Sequence, residues 1–138
     1  MFALALSTGL ALGAPALKEK PAPESTLLGE WVPVSVTVGG RPSPPSSDRW
    51  AFRPDGTWAI SAGGKELASG PLTGNAKLSP GTADLVDAAS GIVNLCRYEV
   101  IGDTLTLSVG HCRAGRPAGL DPAPKATVWE FKRVVKKD

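Results

Sequence analysis

From Leu28 to Val135 the chain alternates short apolar runs with glycine- and proline-rich breaks, and within the runs the period is two. That period is the mark of strands with one buried face. In Arg49-Trp50-Ala51-Phe52-Arg53 the two aromatics share a face, and in Thr57-Trp58-Ala59-Ile60-Ser61 so do Trp58 and Ile60. Between them Pro54-Asp55-Gly56 has glycine where a three-residue hairpin needs a left-handed residue, which sets Phe52 opposite Trp58 and Trp50 opposite Ile60. Gly63-Gly64 predicts a two-residue turn into Lys65–Ser69, with Leu67 opposite Ile60. Further on, Ile92–Ile101 and the run after Gly102-Asp103 predict a second hairpin, in which Leu105, Leu107 and Val109 face Val100, Tyr98 and Cys96.

The remaining segments complete the pattern. Thr26-Leu27-Leu28 predicts one helical turn leading into Gly29-Glu30-Trp31, the head of a first strand that ends at Gly39-Gly40. Its parity is awkward: Val32, Val34, Val36 and Val38 alternate against the Trp31 face, and Pro33 removes a ladder donor. Gly39 to Asp48 carries too many prolines for pairing and reads as a loop. Gly70 to Gly81 shows no clear period, Thr82–Asp87 reads as a short strand turned by Ala89-Ser90-Gly91, and His111 to Lys125 reads as a long loop. Ala126–Val135 is the last strand, with Thr127, Trp129, Phe131 and Arg133 on one face. About eight short strands in sequential hairpins predict an all-β fold, a small up-and-down antiparallel barrel or a sandwich. A barrel removes its edges by pairing the first strand with the last.

Composition agrees with one domain. The chain has 138 residues, and its 16 glycines and 13 prolines lie between apolar runs, as turns require. Fifteen basic against 13 acidic residues, interspersed, give +2 and no basic stripe of the kind nucleic-acid binders carry. The local excess at Lys132-Arg133 and Lys136-Lys137 reads as a solubilising tail. Residues 1–17 carry no charge; the run is too short to span a membrane and suits the hydrophobic region of an export signal, although a basic leader is missing. The expected organisation is a signal over 1–16, a charged, proline-bearing linker over 17–26, a barrel over 27–135 and a basic tail over 136–138. No spanning segment is expected in the mature chain, which is expected to be exported to the periplasm, the cell envelope or the medium.

Gly29-x-Trp31 at the head of strand one, a meander of strands and a terminal Arg133 resemble the lipocalin or calycin superfamily. That resemblance implies a tryptophan at the barrel's closed end with a basic residue packed across it, giving Gly29, Trp31 and Arg133 structural roles. Leu28-Gly29-Glu30-Trp31, Phe52-Arg53-Pro54-Asp55-Gly56-Thr57-Trp58, Tyr98 to Leu107 and Gly115-Arg116-Pro117-Ala118 are similar to an uncharacterised lipocalin-like domain family expanded in planctomycete bacteria. The resemblance covers most of residues 27–135 and is loose over 70–90. It implies the fold, often behind a signal peptide, and no activity.

Candidate chemistry is sparse. Cys96 and Cys112 are the only cysteines, and in an exported chain a pair invites a disulfide. Strict hairpin register puts them on opposite faces and a bulge at Gly110 would bring them together; two separate thiols are the alternative. His111 is the lone histidine and no ligand set forms around it, so neither a metal nor another cofactor is expected. Asp84, Asp87, Glu99 and Glu130 alternate with apolar neighbours as solvated outer faces, and no nucleophile elbow or phosphate loop is present. The chain is therefore expected to be non-catalytic and monomeric. Two functions stay open. In one, the open end of the barrel holds a small apolar or amphipathic ligand, with Trp50, Trp58, Tyr98 and Leu107 on its walls. In the other, rings fill the barrel, and the 39–48 and 113–125 loops, with Arg41, Arg113 and Arg116, dock on a protein or an envelope surface.

Overall fold

The computed structural model describes residues 27–111 and 114–135. The expected signal, the linker, the basic tail, and Cys112 and Arg113 lie outside them. Nine strands follow in order: β1 (Gly29–Val38), β2 (Arg41–Ser43), β3 (Arg49–Arg53), β4 (Thr57–Ala62), β5 (Lys65–Asn75), β6 (Gly81–Val86), β7 (Val93–Ile101), β8 (Thr104–Gly110) and β9 (Ala126–Arg133). Each barrel strand pairs antiparallel with the next, and β9 pairs with β1, so eight strands close into a barrel. The ninth, β2, folds back from the Gly39-Gly40 turn onto Val36–Val38. The expected loop over 39–48 thus holds a short strand. Pro42 is tolerated because β2 is an edge strand.

Both predicted hairpins have the expected register, with Trp50 on Ile60, Phe52 on Trp58, Leu105 on Val100, Leu107 on Tyr98 and Val109 on Cys96. Leu67 departs from it. A bulge sets Ile60 opposite Ala68 and Ser61 opposite Glu66, so Leu67 has no partner and is 56% exposed. Over 70–75, where the sequence shows no period, β5 leaves β4 and continues along β6.

A second bulge resolves the parity of β1. Glu130 pairs with Ser35 and Phe131 with Pro33, leaving Val34 unpaired. Trp31 and Pro33 are buried before the bulge and Val36 after it, while Val34 turns outward. One inserted residue thus moves the apolar set from one parity to the other. Pro33 also falls where β1 has lost β3, which it pairs only through Gly29–Trp31, and has not yet met β2.

At the closure, the Arg133 guanidinium lies 4.2 Å above the Trp31 ring, and its Nη1 donates to the Leu28 carbonyl at 2.9 Å. Trp31 has no exposure, and its Nε1 donates to the Leu27 carbonyl. Gly29 makes room: its φ is 129°, and a Cβ there would stand 2.9 Å from Arg133 Nη1. Gly29→Ala should therefore lower stability by ~1–3 kcal/mol through strain and crowding together. Urea denaturation of Gly29→Ala, Arg133→Ala and the double variant checks this. The cost of Gly29→Ala should shrink in the Arg133→Ala background, where only the backbone strain remains.

Candidate functional site

Antiparallel connectivity gives the barrel two ends. At the entry end Leu27 leads into β1, beside the 54–56, 76–80 and 102–103 turns and the end of β9. The other end carries the 39–40, 63–64 and 87–92 turns and the 111–125 loop. Large rings line β1, β3, β4 and β9. Trp31, Trp50, Phe52, Trp58 and Phe131 are all buried, Trp50 lies 5.1 Å from Phe131 and 5.2 Å from Trp129, and Trp129 stacks on Phe131. Leu105 and Leu107 complete this packing.

On the β5–β6 side, towards the entry end, the inward positions are small. Gly74 pairs with Ala83, and Gly81 with Tyr98. A Cβ at Gly74 would run into the Thr82 carbonyl oxygen, so the two backbones touch there, and beside them the barrel keeps a cavity of about 420 Å³. Its lining includes Leu27, Leu28, Pro54, Leu72, Ala83 and Tyr98, with Thr73 and Thr82 as polar members. The volume is in the range of small-molecule sites. The turn from β3 to β4 is tied to the opposite wall, since the Leu72 N–H donates to the Gly56 carbonyl at 2.8 Å.

Charge is turned away from this space. Arg53 is the one charged residue in the lining, and its Nη2 lies 3.8 Å from Glu66, whose own position is near the far end of β5. The Arg53 side chain therefore runs along the outer wall. Ala59, which faces outward between Ala51 and Ser69, is only 4% exposed.

Of the four side chains expected on a ligand wall, Tyr98 alone borders the cavity. Trp50, Trp58 and Leu107 belong to the packed interior. Trp58 donates its N–H to the Val86 carbonyl, whereas the Trp50 N–H meets no acceptor among the described residues. The cavity residues Leu27, Leu72, Gly74 and Ala83 were not singled out from the sequence. The one available signal was glycine inside a strand, which marks close backbone approach or a missing side chain.

The other candidates have structural partners. Arg116 Nη2 meets Asp84 at 2.7 Å while its Nη1 donates to the Cys96 carbonyl, and Arg97 Nε donates to the Pro117 carbonyl. These bonds strap the 114–118 segment to the outer wall. Ser108, which pairs with Arg97 on that wall, has no exposure. Asp84 is thus an ion-pair partner rather than a freely solvated carboxylate. Asp87 caps its turn through the Ala89 N–H and the Ser90 hydroxyl. His111 is half-buried rather than on the open surface, its Nε2 3.0 Å from Thr127 Oγ1. No group of three metal-ligating side chains occurs among the described residues. No described helix is long and apolar enough to cross a membrane. No family model, curated protein or solved structure matches this chain.

Cys96 is a free, buried thiol, and its proposed partner Cys112 is outside the described residues. Burial pushes its pKa from 9.0 up to about 12; Arg116 opposes the shift and Asp84 adds to it. The folded state holds the proton more tightly than the unfolded one, so this contribution to stability is whole below about pH 9 and is lost as pH rises through 9 towards 12. Wild-type denaturation midpoints should fall more steeply above about pH 9 than those of Cys96→Ala. Iodoacetamide should label Cys96 only after unfolding.

Proposed function

We propose that this chain is an exported, non-catalytic β-barrel that binds one small apolar or amphipathic molecule at its entry end. The cavity of about 420 Å³, in a barrel otherwise packed with rings, carries this reading. Its lining is mostly apolar, as is usual for a small-molecule site. Export rests on the uncharged run over 1–16, and kinship with the uncharacterised lipocalin-like family rests on the Gly29-x-Trp31 and Arg133 pattern.

Docking through the long loops has less support. Arg116, offered for contacts with an acidic partner, is engaged with Asp84 and the Cys96 carbonyl, and its loop is held against the barrel's own wall. The exposed β2 and Arg41 remain as the material for such a surface.

The neutral dye N-phenyl-1-naphthylamine provides a direct test. It should bind with one-to-one stoichiometry and gain fluorescence on entering the apolar space. Leu72→Trp, which fills the cavity from β5, should weaken binding by about tenfold or more, since loss of apolar contact is costly. Unchanged dye affinity in a Leu72→Trp protein that still melts cooperatively would place binding elsewhere and refute the cavity.

A further inference from the structure

The ring of Tyr98 borders two spaces. On one side is the cavity of about 420 Å³; on the other is a smaller one of about 130 Å³ beneath the turn from β5 to β6, lined by Ala76, Leu78, Ser79, Pro80, Gly81, Glu99 and Val100 as well. Gly81 fixes the ring's position. The two residues pair across β6 and β7, and a Cβ at Gly81 would stand 2.7 Å from Tyr98 Cε1 and 2.8 Å from Cζ. The aromatic face therefore lies directly on the backbone at the start of β6, where any side chain would displace it. Tyr98 is 5% exposed, and with Ala76 it is common to the linings of both spaces.

The charge arrangement adds a second selection. The only cation in the lining is engaged with Glu66 along the outer wall, and the neighbouring small space is bordered by Glu99. A carboxylate brought into the large cavity would lose its hydration and meet no cation directed at it, which is strongly unfavourable. An uncharged molecule avoids that cost.

Resting on the reading that the cavity binds a ligand, we infer that the ligand is an uncharged amphiphile and that Tyr98 sets its maximum length. The ring stops the apolar chain at the boundary between the two spaces. A smaller residue joins them and admits a longer molecule.

Displacement of bound N-phenyl-1-naphthylamine by octanol, dodecanol, dodecanoate and dodecylammonium tests both parts. Dodecanol should displace the dye from the wild type at a concentration about tenfold or more below either charged analogue, given the cost of burying an unpaired charge. Tyr98→Leu should raise the preference for dodecanol over octanol by about tenfold, because each further buried methylene adds affinity. Tyr98→Phe keeps the ring and should leave that preference unchanged. Gly81→Ala, which acts on the ring from the backbone, should alter it even if Tyr98→Leu fails to fold. Equal affinity for dodecanol and dodecanoate would overturn the charge selection. An unchanged length preference in Tyr98→Leu, or in Gly81→Ala where only that variant folds, would overturn the role of Tyr98. If Leu72→Trp abolishes dye binding and the alcohols still fail to displace the dye, this assignment falls while the cavity stands. If Leu72→Trp leaves dye binding unchanged, the cavity and this assignment fall together.

Discussion

A guanidinium laid across an indole, where the last strand meets the first, is the constraint on which the rest of this barrel depends. The cation–π contact itself contributes on the order of 1 kcal/mol. Burying the Trp31 ring removes ~150–250 Å² from water, worth several times that. Hydrophobic burial therefore drives the closure, and the cation orients it. Arg133 also donates to the Leu28 carbonyl, lies 3.5 Å from Asp103, and donates its backbone N–H to the Asp103 carbonyl. One residue thus fastens the entry of β1, the end of β9 and the turn between β7 and β8. Because Trp31 and Arg133 hold the carbonyls of Leu27 and Leu28, they also hold the two leucines that wall the cavity.

The interior divides by side-chain size. A barrel of eight strands has room for side chains or for one small ligand. This chain uses both outcomes in different regions. Rings on β3 and β9 meet in a tilted and stacked cluster, with Trp31 and Trp58 buried in the same core, whereas the β5–β6 side keeps the cavity near the entry end. Glycine weakens a strand interior. The weakness falls on strands whose other ends are well anchored, through Trp58 to the Val86 carbonyl and through Arg116 to Asp84.

The all-β class, the two central hairpins and the pairing of first and last strands were legible in the sequence because each rests on a local rule: period two, a turn with glycine in the correct place, or removal of edges by closure. What stayed hidden was set by single inserted residues and by missing side chains. The bulges at Val34 and Leu67 leave no compositional mark, yet each changes which residues face inward beyond it. The cavity was illegible for a related reason. Apolar patterning identifies Trp50, Trp58 and Leu107 as inward-facing, but facing inward does not separate a ring that fills space from one that borders it. Only the pairing of Gly74 with Ala83 brings residues of the cavity together on one wall, and that pairing needs the register of β5 through residues without a period.

The same division fixes the route by which a ligand would exchange. A path through the far end has to cross the cluster of Trp50, Trp129 and Phe131, whose rings lie 5.1–5.9 Å apart and are seated among buried neighbours. A path through the wall on the β6–β7 side meets ladder pairing from Gly81 to Val86, overlaid by the strapped 114–118 segment. At the entry end the cavity is bounded by Leu28, Pro54, Gly56 and Ala76, which belong to turns or to the chain leading into β1 rather than to the aromatic cluster. Turns move at lower cost than a packed interior, because fewer buried contacts are broken. Exchange therefore belongs to the end that the Trp31–Arg133 contact closes, so the residues that seal the barrel also frame its opening.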